Sequence, residues 1–261
     1  MQDFGSLFSL AGRTALVTGG SRGIGRMIAE GFLRAGASVT LSSRKAAACD
    51  AAAAALSALG PCRSMPADVS TPEGIAALAQ AYTAVEPRLD ILVNNAGAAW
   101  GAPFLEFPES GWDKVVDLNL KSPFFLTQAL HGALQAAAQA SGRPAKVINI
   151  ASIDGVSVNP QETYSYAASK AGLIHLTKRM ALRLVGEGIV MSAIAPGAFA
   201  SDMNRDARDR ADEIARRIPA GRIGRSEDMA AAAIYLASRA GDYVVGSTLV
   251  VDGGVTHARS G

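Results

Sequence analysis

Several features that mark particular classes of protein are scarce in this chain of 261 residues. Its two cysteines, Cys49 and Cys62, lack the spacing of metal ligands, as is typical of a protein kept in a reducing compartment. The net charge of +2 is too small to indicate nucleic acid or an anionic membrane as partner. No apolar run is long enough to span a bilayer, and residues 1–4 do not begin a signal peptide. We therefore expect a cytoplasmic protein that binds no metal, nucleic acid or membrane.

Histidine is scarce as well, whereas hydrophobic residues are plentiful. His131, His175 and His257 are scattered, so each is expected to be structural or exposed. Hydrophobic residues form 49% of the chain and charged residues 18%, which favours a compact folded protein over a disordered one. Neither a repeat nor a linker divides the chain, so the sequence predicts a single domain over residues 1–261.

Short apolar runs alternate with helical patterns along the chain. The runs predict strands at residues 13–18, 38–43, 62–67, 89–93, 146–151, 189–195 and 248–251. Because strands and helices alternate throughout, the expected fold class is α/β, with a parallel sheet covered by helices on both faces.

The first strand is followed by a glycine-rich turn, residues 19–25, and then by a helical pattern. A strand, a glycine turn and a helix N-terminus together can bind a pyrophosphate, because glycine lets the backbone approach and the helix end offers N–H groups and a positive dipole. An ordinary glycine turn is the alternative, but the position in the first βα unit favours a phosphate site.

The end of the second strand indicates which dinucleotide binds. NAD sites carry a carboxylate about 20 residues past the glycines, where it binds the ribose 2′-hydroxyl. Here Ser43, Arg44 and Lys45 occupy that region, and no acid occurs until Asp50. Arg44 would pair with a 2′-phosphate, and Arg22 would add a second positive charge. We therefore expect NADP(H) in preference to NAD(H).

The ends of the third and fourth strands leave alternatives open. Asp68 is placed either to accept from an adenine amine or to cap its own loop. Asn94 and Asn95 can tie neighbouring strands, and the small Gly97 lets a flat ring pass close to the backbone. The loop 98–110, rich in aromatic residues and proline, forms either a substrate wall or plain packing.

Residues 164–170 carry the strongest chemical pattern. Tyr166 and Lys170 are four apart on a predicted helix, so they share one face about 6 Å apart along the axis, whereas Tyr164 is turned away. A lysine cation there is expected to lower the pKa of the phenol below its usual value of about 10. Such a phenol can exchange a proton near neutral pH.

Two polar residues and one polar segment complete the pattern. Ser152 follows the fifth strand, at the sheet edge where ligands bind in folds of this class. Asn119 lies in the middle of a helix predicted over residues 110–140, where asparagine is mildly unfavourable. Residues at about 198–224 are rich in charged side chains and are expected to form a lid over the site.

Taken together, these motifs resemble those of the short-chain dehydrogenase/reductase family along essentially the whole chain. The resemblance implies a single doubly wound Rossmann domain with a parallel, roughly seven-stranded sheet. It rests on Thr18-Gly19-x-x-x-Gly23-x-Gly25, Asn94-Asn95-Ala96-Gly97, Asn119, Ser152, Tyr166-x-x-x-Lys170 and Pro196-Gly197.

The resemblance also implies roles for single residues. Tyr166 would be the general acid in reduction or the base in oxidation, and Lys170 would lower its pKa and hold the nicotinamide ribose. Ser152 would hydrogen-bond the substrate oxygen, and Asn119 would support a proton relay through water. The expected cofactor contacts are Gly19, Ser21, Arg22, Gly23, Ile24, Gly25, Ser43, Arg44, Asp68, Val69, Asn95, Ala96, Gly97, Tyr166, Lys170, Pro196, Gly197, Phe199 and Ser201.

The overall look of the chain is similar to reductases of 3-oxoacyl thioesters. A carbonyl substrate carried on acyl carrier protein or CoA is therefore expected, and Lys178, Arg179 and Arg183 form either a landing patch for the carrier or a solvated helix face. Dehydrogenases of sugar acids, polyols and steroids share the same motifs, and a nucleotide-sensing protein without catalysis is the alternative from another class. Members of the family are often tetramers, so a homotetramer is expected.

Overall fold

A parallel sheet forms the centre of the protein in this computed structural model, which describes residues 4–201 and 209–258. Within these ranges the sheet has seven strands, in the order β3-β2-β1-β4-β5-β6-β7. The strands are Thr14–Thr18 (β1), Ser38–Ser42 (β2), Cys62–Ser64 (β3), Ile91–Asn94 (β4), Ala145–Ile150 (β5), Ile189–Pro196 (β6) and Thr248–Val251 (β7). The predicted α/β fold class with a doubly wound parallel sheet is confirmed.

Helices cover both faces of the sheet. Leu16 and Val17 are neighbours in β1 and belong to two different buried apolar clusters, because successive strand side chains point to opposite faces. One cluster joins the sheet to α1, α2 and α9, and the other joins it to α3, α5, α6 and α7. The helices are Gly23–Arg34 (α1), Ala46–Leu56 (α2), Pro72–Val85 (α3), Glu109–Val116 (α4), Ser122–Ala129 (α5), His131–Ser141 (α6), Tyr164–Leu184 (α7), Ala211–Ala215 (α8) and Ser226–Ala237 (α9).

The order of the strands places a crevice at the C-terminal ends of β1 and β4. The chain runs outward from β1 to β3 and then returns to add β4 on the other side of β1. The loops after β1 and β4 therefore diverge, and a ligand can lie between them. No helix within the described ranges combines the length and apolar composition that crossing a bilayer requires.

The single helix predicted over residues 110–140 is wrong, because the structure divides it. A π-helical turn, Asp117–Lys121, separates α4 from α5, and a break at Leu130 separates α5 from α6. Pro123 has no N–H to donate, and its ring would clash with the carbonyl of Asn119 in a regular α-helix. The wider turn just before Pro123 is consistent with that clash, and it contains Asn119.

The third strand is also shorter than expected, ending at Ser64 instead of residue 67. Pro66 interrupts the strand because it cannot donate to the ladder. Pairing with the segment of β2 continues on either side of it, with Met65 N donating to Leu41 O at 2.8 Å and Ala67 N to Ser43 O at 3.2 Å.

Candidate active site

The glycine turn after β1 is closely packed, and two of its glycines leave no room for a side chain. A Cβ on Gly19, whose φ is +65°, would lie 2.7 Å from Asn95 Nδ2, and a Cβ on Gly25 would lie 2.4 Å from the carbonyl oxygen of Gly19. The turn leads into α1, whose N-cap residue Arg22 makes no side-chain capping hydrogen bond. The N-terminus of α1 therefore offers backbone N–H groups and a positive dipole to a phosphate group.

The two residues after β2 supply a hydroxyl and a guanidinium, and the guanidinium reaches Asp68, which follows β3. The Ser43 hydroxyl oxygen is buried and has no hydrogen-bond partner within residues 4–201 and 209–258. Arg44, next in the chain, has an exposed side chain with Nη1 3.8 Å from Asp68 Oδ2. An unpartnered hydroxyl beside an exposed guanidinium fits a ribose 2′-phosphate, so the residues present suit NADP(H).

Asp68 acts as a loop cap in this structure, which was one of its two predicted roles. Its Oδ1 accepts hydrogen bonds from the backbone N and the hydroxyl of Ser70, at 3.1 and 2.7 Å. Burial raises the pKa of this carboxyl, but the bonds from Ser70 and the charge of Arg44 outweigh it, so the net shift is downward. The adenine contact of Asp68 stays a prediction.

Lys170 reaches from α7 to the C-terminal end of β5. Its Nζ donates to the carbonyl oxygen of Ile150 at 2.7 Å and lies 5.7 Å from the centroid of the Tyr166 ring. A Cβ on Gly97 would lie 3.7 Å from the same Nζ, so the loop after β4 also approaches this cation. Burial lowers the pKa of Lys170 to about 8.

Tyr166 and Ser152 face each other beside Lys170. The prediction that Lys170 lowers the pKa of the Tyr166 phenol is wrong for this arrangement. Burial raises the pKa of Tyr166 to about 12, a hydrogen bond with the Ser152 side chain opposes that rise, and the charge of Asp154 adds to it. The Lys170 cation, whose Nζ is directed at the Ile150 carbonyl, does not offset the effect of burial. The phenol is therefore protonated at neutral pH.

Asn119 holds the loop after β4 against α7. Its Oδ1 accepts from Ala98 N at 2.8 Å, and its Nδ2 donates to Ala98 O at 2.9 Å and to Ser169 Oγ at 3.1 Å. Asparagine is mildly unfavourable inside a regular helix, but Asn119 lies in a π-helical turn instead. Turns of this kind recur at functional sites. A Cβ on Gly97 would lie 3.2 Å from Asn119 Oδ1 and 3.7 Å from Lys170 Nζ, so Gly97 lies between Asn119 and the Lys170 cation.

Buried amides tie the strands behind the site, as the sequence predicted for the asparagines after β4. Asn94 donates to Asn149 Oδ1 at 2.9 Å, joining β4 to β5, and Asn149 donates to Thr177 Oγ1 at 2.9 Å, joining β5 to α7. Asn95 donates to Thr18 O at 2.9 Å, joining β4 to β1. Paired polar groups in a low-dielectric interior are stiff, so this network fixes the strands that carry the site.

The remaining predicted cofactor contacts form two groups, two residues with buried side chains and a larger set at the C-terminal ends of the strands. The side chains of Val69 and Phe199 are buried in the apolar clusters, at 4% and 2% exposure, so only their backbone can face a ligand. A Cβ on Gly23 would lie 3.2 Å from Ser201 Cβ, so the segment after β6 approaches the glycine turn. Part of the predicted lid, residues 202–208, lies outside the described residues. The contacts at the C-terminal ends of β1, β4 and β6 are Gly19, Ser21, Arg22, Gly23, Ile24, Gly25, Asn95, Ala96, Gly97, Pro196, Gly197 and Ser201.

Sequence reasoning missed two residues that shape the site. A Cβ on Gly155 would lie 2.6 Å from the carbonyl carbon of Lys170, so the turn after Ser152 packs directly on α7. Glu162 accepts hydrogen bonds from the loop after β4 and from Tyr164. Neither residue has a signal in the sequence, since its partners are distant in the chain or chemically ordinary. In the part of the chain described, no three His, Cys, Asp or Glu side chains converge as metal ligands.

Comparisons with known proteins agree with this geometry. A protein-family model described as Enoyl-(Acyl carrier protein) reductase matches residues 19–256. The chain is 50% identical over 250 residues to the rhamnolipids biosynthesis 3-oxoacyl-[acyl-carrier-protein] reductase of Pseudomonas aeruginosa, covering 95% of this chain and 97% of that protein. It is 38% identical over 256 residues to gluconate 5-dehydrogenase of Gluconobacter oxydans, covering 96% and 97%. The solved RhlG/NADP active-site complex of Pseudomonas aeruginosa superposes with a TM-score of 0.92 at 49% identity, covering 96% and 99%.

Proposed function

The chain belongs to the short-chain dehydrogenase/reductase family of oxidoreductases, and we propose that it uses NADPH to reduce a 3-oxoacyl thioester to the 3-hydroxyacyl thioester. The observation that carries the proposal is the meeting of Ser152, Tyr166 and Lys170 beside a phosphate cradle. The thioester is supported by the 50% identity to a relative named as a 3-oxoacyl-[acyl-carrier-protein] reductase. The acyl group would be carried on acyl carrier protein or CoA.

The side chains at the site fit the needs of this reaction. When bound, the cofactor supplies the hydride that the carbonyl carbon accepts. Negative charge then grows on the carbonyl oxygen, and the hydroxyls of Ser152 and Tyr166 donate hydrogen bonds to it. Because the pKa of Tyr166 is raised to about 12, its phenol keeps the proton that the nascent alkoxide must receive.

Lys170 and Asn119 have supporting roles in this proposal. The Lys170 ammonium carries three N–H donors and gives one to the Ile150 carbonyl, so two are left for the hydroxyls of the nicotinamide ribose. A cation brought next to the phenol on binding would help proton release. Asn119 would support the water relay that returns a proton to the phenol.

Turnover of defined substrates tests the function. We expect NADPH absorbance to fall with acetoacetyl thioesters, and the Tyr166→Phe variant to lose about 10²- to 10⁴-fold in kcat, as for loss of a general acid. Tyr243→Phe is the matched control, since the Tyr243 side chain is 99% exposed and the substitution likewise removes only a phenolic hydroxyl. Full turnover by Tyr166→Phe would refute the assignment of the acid.

The cofactor preference depends on Arg44 in this proposal. Relatives with solved structures are described as binding NADP, among them a putative 2-deoxy-d-gluconate 3-dehydrogenase of Agrobacterium tumefaciens that is 41% identical. Arg44→Asp replaces attraction for a 2′-phosphate with repulsion, so the ratio of kcat/KM for NADPH to that for NADH should fall by about 100-fold. The Lys45→Asp control makes the same charge change one residue along, and an equal effect there would remove Arg44 from the site.

A sugar-acid dehydrogenase is the second candidate, favoured by the 38% identity to gluconate 5-dehydrogenase. Turnover with gluconate and NADP⁺, and none with thioesters, would establish it. A nucleotide sensor without catalysis is the third, and the presence of all four of Asn119, Ser152, Tyr166 and Lys170 opposes it.

A homotetramer is part of the proposal. Exposed apolar side chains support it, with Phe125 on α5 at 45% exposure, Leu182 on α7 at 73% and Tyr243 at 99%. Light scattering of the purified protein measures the assembly, and a monomeric mass would refute it.

A further inference from the structure

Two segments border the Ser152–Tyr166 pair, and one carboxylate ties them together. They are residues 98–108, after β4, and residues 151–163, after β5, and we call them the mouth wall. The backbone oxygen of Glu162 accepts from Ala102 N at 3.2 Å, and its Oε1 accepts from Phe104 N and from the Tyr164 hydroxyl, each at 3.2 Å. Glu162 therefore holds the two segments in one fixed arrangement.

The first segment of the mouth wall, residues 98–108, is mostly apolar and packs against Tyr164 at the start of α7. The Tyr164 ring lies edge-on to the rings of Phe104 and Phe107, each with centroids 5.6 Å apart. Leu105 and Val158 are 93% and 94% exposed. Residues 98–108 therefore favour a hydrocarbon chain over a polyhydroxy chain, because they offer apolar contact area and few hydrogen-bonding side chains, whereas residues 151–163 include Ser157, Asn159 and Gln161.

The charge of the mouth wall has one sign. Its two segments contain Glu106, Asp154 and Glu162 and no lysine, arginine or histidine. Asp154 is nearest the chemistry, since its backbone N donates to Ser152 Oγ at 3.1 Å and its charge acts on Tyr166. Glu162 lies two residues before α7, which carries Tyr166.

Two arginines of the segment after β6 are paired with carboxylates. Arg217 pairs with Glu213 at 3.0 Å, and Arg222 pairs with Asp228 at 2.6 Å. Lys114 lies over the Trp100 ring at 5.1 Å and Lys170 donates to the Ile150 carbonyl at 2.7 Å, so neither is directed at Asp154 or Glu162. A substrate carboxylate beside Asp154 and Glu162 would therefore meet like charge, and like charges a few ångströms apart in a partly desolvated cleft repel.

We infer that Asp154 and Glu162 are specificity-determining residues, which admit an uncharged acyl group at the mouth wall and reject a substrate that carries its own carboxylate next to the carbonyl. This inference rests on the proposed carbonyl reduction and decides between its thioester and sugar-acid forms. Each charge is expected to disfavour the anionic substrate by about fivefold to tenfold.

Ethyl acetoacetate and acetoacetate make a matched pair of substrates, since they share a 3-oxo skeleton and differ in charge. We expect the wild-type protein to have the higher kcat/KM for the ester with NADPH. Asp154→Asn and Glu162→Gln should each lower the ester-to-acid ratio by about fivefold to tenfold, mainly through faster reduction of the acid. Glutamine at 162 keeps an oxygen that can accept from Phe104 N and the Tyr164 hydroxyl, so the wall stays joined.

Two further variants guard against indirect effects. Glu30→Gln removes a distant carboxylate, paired with Arg34 at 2.9 Å on α1, and should leave the ratio unchanged. Val158→Lys adds a cation at a site that is 94% exposed, so it should fold normally and raise kcat/KM for acetoacetate.

The outcomes separate the inference from the function on which it rests. A ratio unchanged in Asp154→Asn, Glu162→Gln and Val158→Lys, with ester turnover retained, would overturn the inference and leave the carbonyl reductase standing. A wild-type preference for the acid would do the same. Turnover of neither substrate in either direction, with 3-hydroxybutyrate and its ethyl ester as the alcohols, would overturn both.

Discussion

Two lysines are buried at opposite ends of β5, and their partners differ. Lys146 lies at the N-terminal end with Nζ 2.7 Å from Asp242 Oδ1, whereas Lys170 donates to the Ile150 carbonyl at the C-terminal end, also at 2.7 Å. Burial lowers the pKa of both, and the charge of Asp242 opposes that shift at Lys146. No carboxylate of the described residues opposes it at Lys170.

The difference distinguishes a lysine that supports the fold from one kept for chemistry. The N-terminal edge of the sheet also holds Arg13 paired with Asp90 at 3.2 Å, so buried charge there is matched within the protein. A buried cation that meets only a carbonyl costs stability, and such groups cluster at functional sites. Of these two buried cations, Lys170 is therefore the one whose charge a bound ligand would offset.

We expect the largest difference between the two lysines in the activity of the Lys170→Met variant. The value of kcat/KM for ketone reduction should fall by about 10³-fold, because both the cofactor contact and the cation beside the phenol are lost. The free energy of unfolding should stay the same or rise, since methionine removes a desolvated charge. Steady-state kinetics and urea denaturation measure the two effects.

Lys146→Met is the matched control at the other end of the strand. We expect its kcat/KM to stay within about twofold of the wild type, while its free energy of unfolding falls by about 2 kcal/mol because Asp242 loses its cation. Equal loss of activity in the two variants would remove the distinction between the two lysines.

Gly155→Ala tests how closely the turn after Ser152 must pack on α7 for catalysis. Its Cβ would meet the backbone of Lys170 at 2.6 Å, so the turn that carries Ser152 must move away from α7. A displacement of this kind costs about 10- to 100-fold in kcat when reacting groups lose alignment. Gly132→Ala on α6 is the control, since no atom lies within 4 Å of its Cβ, and its kinetics should be unchanged. An unaltered kcat in Gly155→Ala would show that the turn can move without displacing the Ser152 hydroxyl from the site.

The pH dependence of stability gives the smallest effect when it is counted per pH unit. Lys170 titrates near pH 8 when folded, against an ordinary value of 10.5, so between these values the unfolded chain binds more protons than the folded one. The free energy of unfolding should therefore rise with pH above about 8, by about 1 kcal/mol per pH unit. The slope should fall more in Lys170→Met than in Lys146→Met, because Asp242 limits the shift of Lys146. Equal slopes in all three proteins, measured by urea denaturation from pH 7.5 to 10, would contradict this.

Local patterns predicted the fold class well and the boundaries less well. Strand positions follow from apolar runs, and six of the seven agree with the structure to within about two residues at each end. Two of the errors came from prolines, since Pro66 shortened β3 and the turn before Pro123 divided the long helix. Both effects act through a missing backbone donor, which hydrophobic periodicity does not register.

The positions of Tyr166, Lys170 and Ser152 agree with the sequence prediction, whereas the pKa of Tyr166 does not. Spacing alone put Tyr166 and Lys170 on one face of α7, and order along the chain put Ser152 at the correct strand end. The direction of the pKa shift of Tyr166 was wrong, since it depends on burial and on where the lysine points. The role of Glu162 was not foreseen, because its partners Ala102 and Phe104 lie about 60 residues earlier in the chain.

The amino-acid sequence by itself determined the alternation of strands and helices, the glycine turn before α1 and the four-residue spacing of the phenol and the lysine. These are short-range properties, fixed by backbone sterics and helix geometry. Only the tertiary structure decided that Lys146 has a carboxylate partner, that Lys170 has none among the described residues, and that one glutamate joins the two sides of the mouth wall. Burial and charge pairing depend on which distant residues pack together, and no local pattern encodes that.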